Sequence, residues 1–146
     1  MSYALIEAAV ITVLAIHGDF DTDNVKAGDS LMIGKGYERA VRVSNGGHTD
    51  KGLTLALVER TWTIFLDLYV PYRGALADLN TRLNTERQKV IDQMALYPRL
   101  NNLAGVRVAT LDQSIPPEPL NPKHTVYRGQ RNRLIVIEIV KPARAG

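Results

Sequence analysis

Residues 53–71, LTLALVERTWTIFLDLYVP, decide the fold. Trp62, Ile64, Leu66, Leu68 and Val70 alternate with less apolar neighbours, the period-two pattern of a strand with one buried face. Leu53, Leu55 and Leu57 have the opposite parity. A slip of one residue sends every side chain to the other face, so this spacing predicts a bulge or bend between Val58 and Arg60. Trp62 heads the apolar row and is expected to anchor the core. Asp67 is expected to face solvent with Thr61 and Thr63, and Glu59 to sit at the bend. Eight residues apart on one strand, Glu59 and Asp67 cannot work as an acid/base pair.

Upstream, residues 38–44 alternate as a short strand, and Asn45-Gly46-Gly47 is a strong turn signal predicted to reverse the chain. Residues 18–36 hold four glycines and four aspartates and read as a long loop. Residues 3–16 are apolar at twelve of fourteen positions, Glu7 and Thr12 excepted, and their alanine and leucine content favours helix. A helix this apolar cannot keep one side in water on a monomer's surface. It must be central, or be covered by another subunit.

Downstream, Pro71 and Gly74 end the strand. Leu76, Leu79, Leu83, Val90, Ile91 and Met94 form a helical stripe across 75–97, with Asp78–Arg82 and Arg82–Glu86 as i,i+4 pairs on the wet side. The stripe thins at Glu86 and Arg87, where only an arginine stem can cover the core. Tyr97-Pro98 ends the helix. Residues 105–111 and 133–140 read as strands, the latter (RLIVIEIV) apolar on both faces apart from Glu138 and therefore central. Between them, 112–132 carries Pro116, Pro117, Pro119 and Pro122 and reads as an extended arm. The sum is one α+β domain over 1–146. Its sheet is mixed, mainly antiparallel and of about four strands, packed by two helices in the order α-β-β-α-β-β.

A chain of 146 residues with 45% apolar and 23% charged content folds around its own core. It has no cysteine, which excludes disulfides, thiolate chemistry and cysteine-ligated zinc. No basic residue precedes the apolar run 8–16, so it does not read as a signal peptide, and it is far shorter than the ~20 residues that span a bilayer. Synthesis in the cytosol and no membrane partner are expected.

Asp19, Asp21 and Asp23 match the first ligands of a calcium loop. The turn glycine is replaced by Asn24 and the twelfth-position acid by Ser30, so the segment reads as an acidic loop. Gly34-Lys35-Gly36 lacks the spacing and the hydroxyl residue of a phosphate loop. His17, His48 and His124 lie near no nucleophile and read as surface histidines. No catalytic residue, metal ligand or cofactor is expected.

Charge is uneven. Residues 1–36 hold five acids and two lysines, a net −3; residues 123–146 hold six basic residues and one acid, a net +5. Opposite ends of this kind suit head-to-tail contacts between copies. A nucleic-acid groove is the competing reading, weakened because Tyr127 is the only stacking residue in the basic stretch.

The succession of elements resembles the tail terminator, or tail-completion, proteins of long-tailed bacteriophages. The resemblance runs from the apolar opening helix through RTWTIFLDLYVP, VIDQMALYPRLNNLAGV and the proline-rich arm to RLIVIEIVKP. It implies a non-enzymatic virion subunit, made in the host cytoplasm, that assembles six to a ring. The ring would cap the tail tube, stop its polymerisation and present the surface for head completion or connector proteins. DNA would pass through its lumen without specific binding. Neighbouring roles, a head–tail adaptor or stopper, share these features. Candidate subunit or partner contacts are Leu5 and Val13 on the first helix and Arg128, Arg131 and Arg133 in the basic stretch. Replacing Arg131 and Arg133 with glutamate is expected to weaken assembly and spare the fold.

Overall fold

The computed structural model describes residues 3–20, 25–27, 39–54, 56–71, 76–114, 118–120 and 127–140. The elements in chain order are α1 (Tyr3–Ile16), β1 (Val25–Ala27), β2 (Ala40–Thr54), β3 (Leu57–Pro71), α2 (Leu76–Leu96), β4 (Val106–Ser114), β5 (Glu118–Leu120) and β6 (Tyr127–Val140). The strands form one sheet of six, ordered β1-β2-β3-β6-β4, with β5 also paired to β6. Only β1–β2 is parallel. The α+β class and the mixed sheet agree with expectation; the strand count does not.

The difference comes from the two segments expected to be loop and arm. Val25–Ala27, inside the expected 18–36 loop, adds a parallel strand because Val25 is apolar enough to bury against the first helix layer. The arm at 112–132 is likewise partly strand. β4 continues through Ser114, β5 pairs with residues 127–129, and β6 begins at Tyr127 rather than 133. The rest of both segments, with His124, lies outside the described residues.

The hairpin also departs from expectation. The short strand at 38–44 does not turn at Asn45-Gly46-Gly47 but runs on to Thr54, and the chain reverses at 55–56. Asn45 pairs with Ile64 and His48 with Trp62, so three steps on β2 match two on β3, which is a bulge. The Asn45 side-chain carbonyl accepts the Gly47 amide at 2.7 Å, and Gly47 takes φ 92°, a region glycine enters without cost. Gly46 is needed for another reason: a Cβ there would lie 2.9 Å from the Thr63 carbonyl oxygen and from the Phe65 ring. The local turn chemistry was real, but cross-strand packing used it to kink a strand instead of ending it. The bend expected between Val58 and Arg60 is absent. β3 pairs with β6 without a register shift from Val58↔Val140 to Pro71↔Tyr127. The parity change arises because Leu53 belongs to β2.

Trp62, Ile64, Leu66, Leu68 and Val70 point to the face that both helices cover. Val41 and Val43 of β2 and Leu134 and Val136 of β6 share it by register. α1 lies on β1 and β2, α2 on β3, β4 and β6, and the helices touch each other. Ile6, Val10, Val13 and Leu14 form the buried stripe of α1; Leu79, Leu83, Val90 and Met94 form that of α2. Each such side chain contributes roughly 1.5–3 kcal/mol of hydrophobic stabilisation.

Where the α2 stripe thins, the gap is filled by polar partners as well as by an arginine stem. Glu86, 8% exposed, is gripped by Arg39 and by Lys89, whose ammonium also holds Asp19 at 2.9 Å. Arg87 donates to Asn132 on β6 at 3.3 Å. The last turn of α1 leaves carbonyls without helical partners. One of them, Val13 O, is capped across the helix interface by the Gln93 amide at 2.8 Å. After α2, Leu100, Asn101 and Asn102 take φ of 50°, 59° and 61°, a left-handed turn that returns the chain to β4 with Leu100 buried beneath it.

Two substitutions test this account. Gln93→Leu, which strands Val13 O in an apolar interface, should cost about 1–3 kcal/mol in urea unfolding. Gly46→Ala should cost a similar ~1–3 kcal/mol, because the atoms in the way include fixed backbone.

Candidate functional site

The face of the sheet away from the helices carries the most concentrated chemistry among the described residues. Continuous β3–β6 register sets Arg131 directly opposite Asp67, and β2 sets Arg42 opposite it on the other side. Arg131 meets the carboxylate with two nitrogens, at 2.8 and 3.1 Å, and Arg42 adds a third bond at 2.9 Å. Asp67 is only 4% exposed, contrary to the expectation that it faces solvent. A carboxylate in an apolar strand avoids the desolvation penalty by taking cations from both neighbouring strands. The Arg131 guanidinium also lies 4.3 Å from the Phe65 ring centroid, covering it. Arg133 stands on the same face, opposite Phe65. Three arginines and one aspartate leave this patch at +2.

The same geometry revises the expected contacts. Arg131 is 40% exposed at its side chain, yet it holds a buried acid in place, so glutamate there would disturb the fold as well as any docking. Arg128 pairs by backbone with Val70 and Pro119, and its side chain lies outside the described residues. Leu5 is 56% exposed, whereas Val13 is fully buried against α2 and cannot reach a partner. Helical spacing explains the difference: Val13 falls with Ile6 and Val10 on the inner stripe. Leu5 and the arginines therefore occupy opposite sides of the molecule.

A second cluster surrounds Trp62. Its indole N–H donates to the Glu138 carboxylate at 2.8 Å, and Glu138 is 1% exposed. His48 lies against the ring at a centroid distance of 4.5 Å, Tyr3 of α1 at 5.9 Å, and the Arg60 guanidinium at 5.8 Å. Arg60 in turn grips Asp50 with bonds of 2.8 and 3.1 Å, tying β2 to β3 beyond the helices. Burial, reinforced by the neighbouring Glu7 carboxylate, pushes the Tyr3 phenol above its ordinary range. The cluster is a structural clamp around the one tryptophan, which takes the anchoring role expected of it.

His17 accepts the Asp19 amide through Nδ1 at 3.2 Å and packs edge-on to Phe20. Among the described residues no group of three His, Asp or Glu side chains could hold a metal ion, and no helix is long and apolar enough to cross a membrane. Phe65, the aromatic of the basic face, lies under a guanidinium, which disfavours base stacking there.

Sequence reasoning missed Asp67, Arg42, Phe65 and the Glu138–Trp62 bond. The available signal was an acid in the middle of an apolar strand, in IFLDLYV and again in IVIEIV. Such an acid needs a donor close by, but only the register names it.

Asp67→Asn should cost about 2–4 kcal/mol in chemical denaturation, since it leaves the largely buried Arg42 without its counter-charge. A pH effect also follows. Hydrogen bonding from Lys89 holds the Asp19 carboxyl below its ordinary value, and hydrogen bonding from Arg60 does the same for Asp50. Their contribution is present above the unfolded-state value of about 4 and is lost as pH falls through the folded one. Both groups are solvent-accessible, so the loss is small. Asp50→Asn should flatten the acid limb of a melting-temperature profile and leave neutral pH nearly unchanged.

No protein-family model matches this chain, and no curated protein matches it either.

Proposed function

We propose that this chain is a structural ring subunit of the tail terminator kind, six copies of which cap a phage tail tube. On this reading the ring stops tube polymerisation and presents a platform to head completion or connector proteins. The subunit acts in the virion and performs no chemistry.

The observation that carries the reading is apolar surface left uncovered on two opposite sides. α1 buries only its inner stripe, while Leu5 and Ile16 are 56% and 49% exposed. Across the molecule, β6 and β3 present half-buried Ile135, Ile137, Thr61 and Thr63 on a face that neither helix covers. Central strands that are apolar on both faces normally carry a layer on each. Here the described part of the chain supplies one layer, and a neighbouring subunit would supply the other. Two unlike sticky surfaces per copy are what a closed head-to-tail ring requires.

The test is to add the purified chain to self-assembling tubes of the cognate tube protein and image them by negative stain. Six-fold rings at one end, with tube growth arrested, are expected. Tubes that elongate at the unaltered rate with bare ends would overturn the reading.

A further inference from the structure

We infer that the two uncovered surfaces are each other's partners: the outer stripe of α1 on one copy docks on the arginine-bearing sheet face of the next. The inference rests on the ring reading and names the contact within it.

Shape and polarity of the two sides match. The α1 stripe consists of Leu5, Ala8, Thr12 and Ile16, spaced three, four and four residues apart and all exposed. Thr12 turns its hydroxyl back to the Ala8 carbonyl at 2.9 Å, so it offers only its methyl group outward. The stripe is therefore wholly apolar in effect. On the sheet face, Ile135 and Ile137 form a β-branched ridge beside Arg131 and Arg133. A helix laid on such a ridge buries apolar area on both sides, which a nucleic acid could not do.

Charge supplies direction. Glu7 is the sole charged residue of α1, with no cation in its last turn, and the helix ends in its negative dipole pole followed by Asp19. Residues 1–36 as a whole carry −3. The sheet face carries +2 from Arg42, Arg131 and Arg133 against Asp67. Opposite signs beside two apolar strips favour helix-on-sheet contact. They disfavour helix-on-helix or sheet-on-sheet contact, in which like charges would meet. The contact is heterologous and continues from copy to copy.

Sedimentation velocity of the full chain across a concentration series, without tubes, tests this. Leu5→Arg spoils the helix side and Ile137→Glu the sheet side. Val108→Glu on β4, whose register partner is Ile137, serves if Ile137→Glu fails to fold. Each variant alone should self-associate about tenfold or more weakly than wild type, with its melting temperature retained. Mixing the two variants should restore a complex, because one intact helix side then meets one intact sheet side. Salt should weaken wild-type association.

A wild-type chain that stays monomeric at every concentration overturns the inference, and so does a mixture that restores nothing. Helix-side loss with no sheet-side effect would mean a symmetric contact and overturns it as well. If a single-stranded oligonucleotide binds with a steep salt dependence that Arg133→Glu abolishes, while sedimentation is unchanged, the face serves nucleic acid instead. Association through these surfaces in a protein that never caps tubes would sink the ring reading alone. Normal capping by Ile137→Glu would sink the contact alone.

Discussion

The antiparallel pairing of β3 with β6, unbroken from Val58↔Val140 to Pro71↔Tyr127, is the constraint on which the rest of the structure depends. It places ten backbone-rich turns of pleat in one register, so every alternate side chain on both strands is committed to the same face. Trp62 and Val136, Ile64 and Leu134 meet beneath the helices because of it. Arg131 faces Asp67 on the other side for the same reason. A one-residue slip would bury Arg133 under the helices and expose Leu134, a cost no local gain could offset.

The buried acids make that register more specific. Asp67, Glu86 and Glu138 each sit where an apolar residue would satisfy packing, and each takes its partners from another element: Arg42 and Arg131, Arg39, Trp62. Such pairs add little net stability over a hydrophobic replacement, because desolvation cancels much of the Coulomb gain. What they add is a penalty on every alternative arrangement, since a wrong register leaves a charge buried alone. The bulge at Asn45–His48 works similarly on β2. It lets the backbone approach Thr63 and Phe65 while bending an edge strand whose outer half, from Ser44 onward, has no strand partner among the described residues.

These devices leave the two faces of the sheet unequal. One is closed by helices whose inner stripes are complete. The other mixes a charge cluster with β-branched side chains that are neither well covered nor fully wet. An assembly subunit gains from that condition, because surface held in a fixed geometry before association costs less ordering when the partner arrives. The clamp around Trp62 and the Lys89–Asp19 bridge hold α1 and the hairpin in place for the same benefit.

Both helices, the central place of 133–140 and the anchoring role of Trp62 were legible from residue order, because period and composition are local properties. The thinning of the α2 stripe at Glu86 and Arg87 was visible too, though not what would fill it. Strand pairing decided the remainder. Asn45-Gly46-Gly47 carries the same local preference whether it reverses a chain or kinks a strand, and only contact with Thr63 and Phe65 chooses. Val25–Ala27 and Glu118–Leu120 are too short to announce themselves and exist because neighbours offer them hydrogen bonds. Asp67 could be read as an acid on a strand, but its burial came from Arg42 and Arg131, which lie 25 and 64 residues away along the chain. Periodicity tells which side chains share a face; which faces meet is set by long-range contacts that no window of sequence contains.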